Sequence, residues 1–285
     1  MDIYIALDIG GTKILAASAT RNGDIISRIK SKTPIDLDDG FKLLIDLISQ
    51  LSLNQKIISI GAAIGGPLNR QHGIVSPLHQ PQWRNVPLKT IMEETFNCPF
   101  WVDVDTNVAA LGEYKFAKGT DARLLYLTIS TGVGGGFLID GKVYRGASGA
   151  HQEVGHHSIN LRCRYPERVQ CECGAPDCLE ALVSGKGISR IYQKPAEKLT
   201  EDEWNEVGYN LGQGLRNLAA LYVPNVILLG GGVAIGAGEK LLKPTREVMK
   251  EHLKIVSQPE VRLSRLGYDS ALMGAIALAI EGFRE

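Results

Sequence analysis

The stretch Asp8-Ile9-Gly10-Gly11-Thr12-Lys13 decides how this chain is read. It follows an apolar run, Ile3 to Leu7, that reads as a buried strand, and it leads into an alternating run, Ile14 to Ala19. Asn22-Gly23 gives a type I′ hairpin signal, and Ile25-Ile26 opens a third strand. A glycine-rich turn that joins strand to strand is not a Walker loop, which needs Gly-Lys-Ser/Thr opening a helix. Adjacent glycines let backbone N–H groups approach phosphate oxygens, Thr12 adds a hydroxyl, and Asp8 can hold Mg²⁺ through water. Taken alone, an ordinary tight turn beside a buried aspartate is the simpler account.

The motif has an echo. Leu124 to Thr128 is again strand-like, and Thr131-Gly132-Val133-Gly134-Gly135-Gly136 is again a glycine-rich turn. Phe137-Leu138-Ile139 leads to Asp140-Gly141, a second hairpin signal, with Val143-Tyr144 after it. The Gly132-x-Gly134 spacing invites a dinucleotide-binding reading, which fails because a hairpin and not a helix follows.

A second constellation lies downstream. Glu153-Val154-Gly155-His156 precedes Cys171-Glu172-Cys173-Gly174 and Cys178-Leu179-Glu180. Three thiols and an imidazole match a closed Cys₃His zinc site, with His156, Cys171, Cys173 and Cys178 as ligands and His157 as the alternative imidazole. Three buried or adventitious thiols without metal are the competing account, which a short Cys/His cluster of this composition outweighs. A metal here pins two carboxylates, Glu153 and Glu180. The imidazole nitrogen not on zinc carries N–H and donates. Two acceptors beside one donor suit a polyhydroxyl ligand such as a sugar.

Between the two turns, Phe41, Leu44, Ile45, Ile48 and Leu51 fall at helical spacing, predicting an amphipathic helix over 39–52. Ile57 to Ala63 is a buried strand ending in Gly65-Gly66-Pro67, where Gly66 either brings backbone close to a ligand or simply turns the chain. The loop Ser76 to Arg84 holds Trp83, a candidate lip of a cleft, although a lone Trp is commonly packing. Phe100 to Val104 is a strand that runs into Asp105, with a helix from about Val108 to Lys118 stopped by Gly119. A carboxylate at a strand end suits a general base that takes the proton of an attacking hydroxyl; a helix N-cap is the competing role for Asp105. Beyond the cysteines, residues 181–193 look helical, and Thr200-x-x-Glu203 is a capping box opening a long helix through Leu211, Leu215, Leu218 and Leu221. Val226 to Leu229 is a strand followed by Gly230-Gly231-Gly232 and a helix at 238–253; Ala271 to Phe283 is a small-residue helix.

The Glu-x-Gly-His and Cys-x-Cys-Gly-x-x-x-Cys-x-Glu stretches, with the two glycine turns, resemble the ROK family of sugar kinases and sugar-responsive repressors over nearly the whole chain. The resemblance implies an α/β fold of two actin-like ATPase (ribonuclease H-like) domains, mixed sheets flanked by helices, with a cleft between them. The expected domains are 1–118, with the helix 271–285 packing back on it, and 119–270. It further implies that Asp8, Gly10, Gly11, Thr12, Lys13, Thr131 and Gly132 handle ATP phosphates and Mg²⁺, and that Gly231 lies in the adenosine turn. Asp105 is then the base, and Gly66, Glu153, His156 and Glu180 bind sugar beside a structural Zn²⁺. The implied activity is glucokinase-like phosphorylation of a hexose 6-hydroxyl. N-acetylmannosamine, N-acetylglucosamine, mannose and fructose are further substrates, and a homodimer is the implied assembly. Val104 stands where the family has a sugar-binding Asn, which leaves open a shifted sugar preference, substitution by Asp103 or another polar group, or an inactive or unusual kinase. Ser130 and Gln152 stand where glycine is common. The fifteen-residue step from His156 to Cys171 is longer than the family's and carries an Arg-rich loop, Arg162 to Arg168, expected as a solvated insertion.

Composition narrows the classes. Thirty-one Lys plus Arg balance thirty-one Asp plus Glu, so the basic face of a nucleic-acid protein is not expected. With a strand expected from Ile3, the helix-turn-helix that the resembling repressors carry in front is not expected here. No apolar run is long enough to span a membrane, and the start lacks the pattern of a signal peptide. With five Cys, three of them clustered, a reducing cytoplasmic location fits.

Overall fold

The computed structural model describes residues 2–53, 55–117 and 122–283. The expected helix end at Lys118-Gly119, and the domain boundary placed there, lie outside these residues. The chain divides into two compact units, Met1–Gly119 with Asp269–Glu285, and Thr120–Tyr268.

The first unit contains β1 (Asp2–Ile9), β2 (Lys13–Ala19), β3 (Ile25–Lys32), α1 (Leu37–Ser52), β4 (Lys56–Ile64), the short β5 (Leu68–Asn69) and β6 (Ile74–Val75), α2 (Leu88–Phe96), β7 (Phe100–Val104) and α3 (Asp105–Phe116). Its five-stranded sheet has the order β3-β2-β1-β4-β7. β1 runs antiparallel to β2 and parallel to β4, and β4 runs parallel to β7. Strand alternation gives the sheet two buried faces. Ile3, Ile5, Leu7 and Ile9 join Leu44, Ile48 and Leu51 of α1 on one face. Ala6, Leu15 and Ala17 face the C-terminal helix, Ser270–Glu281, on the other. Small residues set that second layer: a Cβ on Gly61 would overlap the Ala275 carbonyl, and one on Gly274 the Val108 carbonyl.

The second unit contains β8 (Arg123–Ile129), β9 (Val133–Ile139), β10 (Lys142–Val143), α4 (Leu179–Val183), α5 (Gly185–Tyr192), α6 (Glu201–Tyr222), β11 (Val226–Gly230), α7 (Gly232–Ala237), α8 (Glu239–His252) and β12 (Glu260–Leu263). Its sheet order is β10-β9-β8-β11-β12, with β8 antiparallel to β9 and parallel to β11. Each sheet therefore begins with an antiparallel meander and adds two parallel strands on the far side of its first strand. The echo seen in the sequence is an echo of topology.

Some local expectations hold and others are corrected. Asp140 (φ 50°) and Gly141 (φ 76°) both take positive φ, as a type I′ turn requires, whereas at Asn22-Gly23 only Gly23 does (φ 89°). That hairpin closes instead through Gly23 N–H to the Thr20 carbonyl at 3.0 Å. The helix at 181–193 is two helices: Ser184 caps α5 by accepting the Gly187 N–H at 3.0 Å, and its own extended backbone (φ −71°, ψ 159°) breaks the run. α8 is preceded by α7, so the region after β11 is not plain loop. The capping box on α6 forms as expected, Thr200 N–H to Glu203 Oε2 at 2.7 Å and Glu203 N–H to Thr200 Oγ1 at 3.4 Å. Leu211, Leu215 and Leu218 are buried, but Leu221 is 76% exposed. Trp83 is no cleft lip: it is fully buried and stacks on Phe41 at 5.7 Å, anchoring its loop in the core. The Arg-rich loop is exposed but pinned, with Asn210 bonding both the N–H (2.8 Å) and the carbonyl (2.7 Å) of Arg162, and the Arg162 guanidinium 3.6 Å over the Tyr209 ring. Among the described residues no helix is long and apolar enough to cross a membrane.

Candidate functional site

In the second unit, the segment Glu153–His156 is laid against β9. Gly155 sits where any Cβ would strike the Val133 carbonyl, and Val154 fills the face of Gly135. The same segment is stitched to the Cys178–Glu180 segment: Glu180 N–H bonds the Gly155 carbonyl at 2.8 Å and Leu179 N–H the His157 carbonyl at 3.1 Å. Residues far apart in the chain are thereby gathered. The ligand atoms of His156, Cys171, Cys173 and Cys178 all lie within 4.8 Å of one another. Cys171 Sγ is 3.6 Å and Cys178 Sγ 4.0 Å from His156 Nδ1. Tetrahedral zinc, with bonds of about 2.3 Å to sulfur and about 2.0 Å to nitrogen, asks for separations of about 3.5 to 3.8 Å. The donor set and spacing fit a closed zinc site, and the imidazole in it is His156. His157 stands outside the cluster, with its Nδ1 3.4 Å from Asn217 Nδ2.

The thiols are unequal. Burial pushes Cys178 up to about 12 and raises Cys171 as well, whereas the Ala175 N–H pulls exposed Cys173 down to about 7. A dication would favour the thiolate at all three.

With Nδ1 turned to the thiols, His156 Nε2 points at two carboxylates, 4.0 Å from Glu153 Oε2 and 3.9 Å from Glu180 Oε2. These separations exceed a direct hydrogen bond and leave the ring N–H, Glu153 Oε2 and the second lone pair of Glu180 Oε2 for a ligand hydroxyl. Each carboxylate has its own support. His151 Nε2 lies 3.2 Å from Glu153 Oε1 and holds that carboxyl below the usual range, against the opposing effect of burial. Glu180 Oε2 accepts the Val133 N–H at 2.8 Å, and Gly132 leaves space for it: a Cβ there would lie 2.7 Å from the same oxygen. Thr131 is exposed in this turn, its carbonyl held by Lys186 N–H at 3.2 Å, while Gly185 N–H holds the Ser130 carbonyl at 2.6 Å. Gly231 takes φ 85° at the start of α7, packed on the Ile129 backbone.

In the first unit, Asp8 is the penultimate residue of β1, just before the turn Gly10–Lys13, and is half-buried. Burial first, then the charge of nearby Asp105, pushes its carboxyl up to about 7, against Lys13 and Arg28. Gly10 N–H closes the turn on the Lys13 carbonyl at 3.0 Å, and Thr33 Oγ1 donates to the Gly10 carbonyl at 2.6 Å. Gly11, Thr12 and Lys13 are exposed. Asp105 is the first residue of α3, one position later than the N-cap, which is Val104. It is half-buried, and its Oδ1 accepts the Thr106 N–H at 2.7 Å. Val104 is 5% exposed, and buried Asp103 beside it bonds the Val104 N–H at 2.7 Å and Asn107 Nδ2 at 3.2 Å. Gly66 follows β4, and its carbonyl accepts the Leu78 N–H at 3.0 Å.

Two supporting roles escaped the sequence reading. His151, two residues before Glu153, reads from the sequence as a bystander of the site, whereas it is the partner of the Glu153 carboxylate. Thr33 carried no signal, because its tie to Gly10 spans a whole hairpin.

A model of the ROK family matches residues 4–282. The glucokinase of Streptomyces coelicolor is 30% identical, over 99% of this chain and 98% of that protein. A xylose repressor of Caldicellulosiruptor bescii is 28% identical, over 97% of this chain and 77% of the repressor. A solved ROK family glucokinase from Streptomyces griseus, in complex with glucose and AMPPNP, superposes with a TM-score of 0.79 at 28% identity, covering 98% of this chain and 100% of that one.

Proposed function

The chain belongs to the ROK family, and from that premise we propose that it is an ATP-dependent sugar kinase acting on a hexose at the 6-hydroxyl. The observation that carries the reading is the set around His156: one N–H about 4 Å from each of two carboxylates, the donor–acceptor pattern of a sugar's vicinal hydroxyls. Glu153, His156 and Glu180, with Gly66, hold the sugar. Asp105 takes the proton as the hydroxyl oxygen attacks the terminal phosphorus; the new O–P bond forms, the bridging P–O bond breaks, and ADP leaves. Gly10, Gly11, Thr12, Lys13, Thr131 and Gly132 receive the phosphates, Gly231 receives the adenosine, and Asp8 would hold Mg²⁺, which neutralises phosphate charge when bound. Zinc on His156, Cys171, Cys173 and Cys178 would be structural, since four protein ligands leave no open position. The glucokinase relative and the glucose and AMPPNP in the S. griseus structure support this assignment. The same reading makes the protein a cytoplasmic homodimer.

A specific observation favours a second reading, sugar binding with weak or no catalysis: Val104 offers no polar group where the family has Asn. The repressor among the relatives shows that the family is not confined to kinases. Release of ADP over a panel of glucose, mannose, fructose, N-acetylmannosamine and N-acetylglucosamine, run beside sugar calorimetry, separates the two. ADP release with one hexose establishes the kinase. Sugar binding with no ADP release from any member of the panel establishes the second reading.

A further inference from the structure

His79 is seated on the first glycine turn. A Cβ at Gly11 would come within 2.8 Å of the His79 Cβ and 3.3 Å of its carbonyl oxygen, so the absence of a side chain at Gly11 is what lets the 76–84 loop lie against the turn. The loop is held from several directions. Arg84 Nη1 donates to the carbonyls of Pro77 (2.6 Å), Gln80 (3.1 Å) and Trp83 (3.3 Å). Leu78 N–H bonds the Gly66 carbonyl, Ser76 N–H the Pro67 carbonyl, and Trp83 is plugged into the core. Within this braced backbone the His79 side chain is exposed, and among the described residues its ring has no hydrogen-bond or ion-pair partner. Two buried donors of the loop, Gln80 Nε2 and Trp83 Nε1, also lack acceptors among the described residues, so local satisfaction alone does not explain the loop's shape.

The turn itself keeps unspent donors. Gly10 N–H is used internally, but among the described residues neither the Gly11 nor the Thr12 N–H has a backbone acceptor. Two amides, the Thr12 hydroxyl and an unpartnered imidazole on a fixed loop therefore border one glycine. That donor set fits an anion with several oxygens and no protons to give, which is a phosphate. We propose that His79 donates a hydrogen bond to a phosphate oxygen of the nucleotide held at Gly10–Lys13. The inference rests on the kinase reading and adds to it a side chain from outside both glycine turns.

His79→Ala and His79→Gln test it, the second because it keeps a side-chain N–H. The side chain is exposed, so both variants should melt with the parent. Loss of one hydrogen bond to a charged group predicts that His79→Ala raises the KM for ATP and weakens Mg²⁺·AMPPNP binding about tenfold or more, with the sugar KM unmoved. The Gln variant should recover most of the loss. Equal AMPPNP affinity in the parent and the Ala variant overturns the proposal, as does an equal fall in sugar and nucleotide affinity, which would mark a structural role. A parent that binds AMPPNP yet phosphorylates no hexose removes the kinase reading alone, and calorimetry still decides His79. A parent that binds no AMPPNP removes both.

Discussion

Gly10 N–H closes the first glycine turn onto the Lys13 carbonyl at 3.0 Å, and Ser130 N–H closes the second onto the Gly132 carbonyl at 2.9 Å. Each turn joins the first two strands of a sheet with the same order and directions. Beyond the backbone they diverge. The first is open: Gly11, Thr12 and Lys13 are exposed, with a half-buried carboxyl, Asp8, just before the turn. The second is occupied by its own protein, with Glu180 taking the Val133 N–H and the start of α5 holding the Ser130 and Thr131 carbonyls. Repeated topology therefore carries a repeated backbone shape without a repeated set of partners. The first turn offers donors outward, while the second spends one of its amides on positioning a carboxylate of the proposed sugar site.

The largest effect should come from beside the first turn. Asp105→Asn is expected to cut turnover by about 10² to 10⁴-fold while hexose affinity stays within about tenfold, because the base is lost and the shape is kept. Full steady-state activity in that variant would remove Asp105 from the chemistry. Next comes the proposed zinc, which bears on the second region alone. Cys173→Ser should empty the site in elemental analysis and weaken hexose binding by about tenfold or more, with AMPPNP affinity less affected. Native protein containing no zinc would break that half of the comparison.

What could be read in advance, and what could not, follows the same division. Both hairpin units were legible because strand alternation and Asp-Gly or Asn-Gly turns are local signals, and the cysteine spacing announced a metal set. His156 could not be separated from His157 by spacing; the bonds that tie Gly155 and His157 to α4 decide which imidazole turns inward. The break at Ser184 carried a local signal, since Ser184, Gly185 and Gly187 are weak helix formers, but the apolar spacing on either side masked it; the cap bond shows that a new helix starts there. Trp83 is packing and the Arg-rich loop is solvated, as the sequence allowed; what holds each could not be read, because the partners, Phe41 for one and Asn210 and Tyr209 for the other, lie some forty residues or more away. The bond from Val133 to Glu180 spans 47 residues and has no trace in either motif read alone.

That bond gives the sharpest test of the contrast. A methyl at Gly132 would sit 2.7 Å from Glu180 Oε2 and 3.4 Å from its Cδ, so the carboxylate must move. Gly132→Ala is expected to raise the hexose KM about tenfold with a smaller change in the ATP KM, although Gly132 lies in a phosphate-type turn. A variant in which only the ATP KM rises would mean that the second turn works as the first does.

The smallest expected effect is a shift in stability, and it belongs to the first turn alone. Asp8 is raised from 3.8 to about 7 by burial and by Asp105, so the folded chain holds this proton more tightly than the unfolded chain does. The stabilisation is complete below pH 3.8 and is lost as pH rises towards 7, above which the fold carries a half-buried anion. Asp8→Asn removes that cost. Without nucleotide or Mg²⁺, the variant should melt a few degrees above the parent at pH 8, with the gap closing as pH falls towards 4. Mg²⁺ should raise the parent's melting temperature at pH 8 more than the variant's, because the cation compensates the same charge. A parent whose melting temperature relative to the variant does not change with pH would mean that the Asp8 carboxylate is already compensated in the metal-free fold, and the first turn would then need no cation behind it.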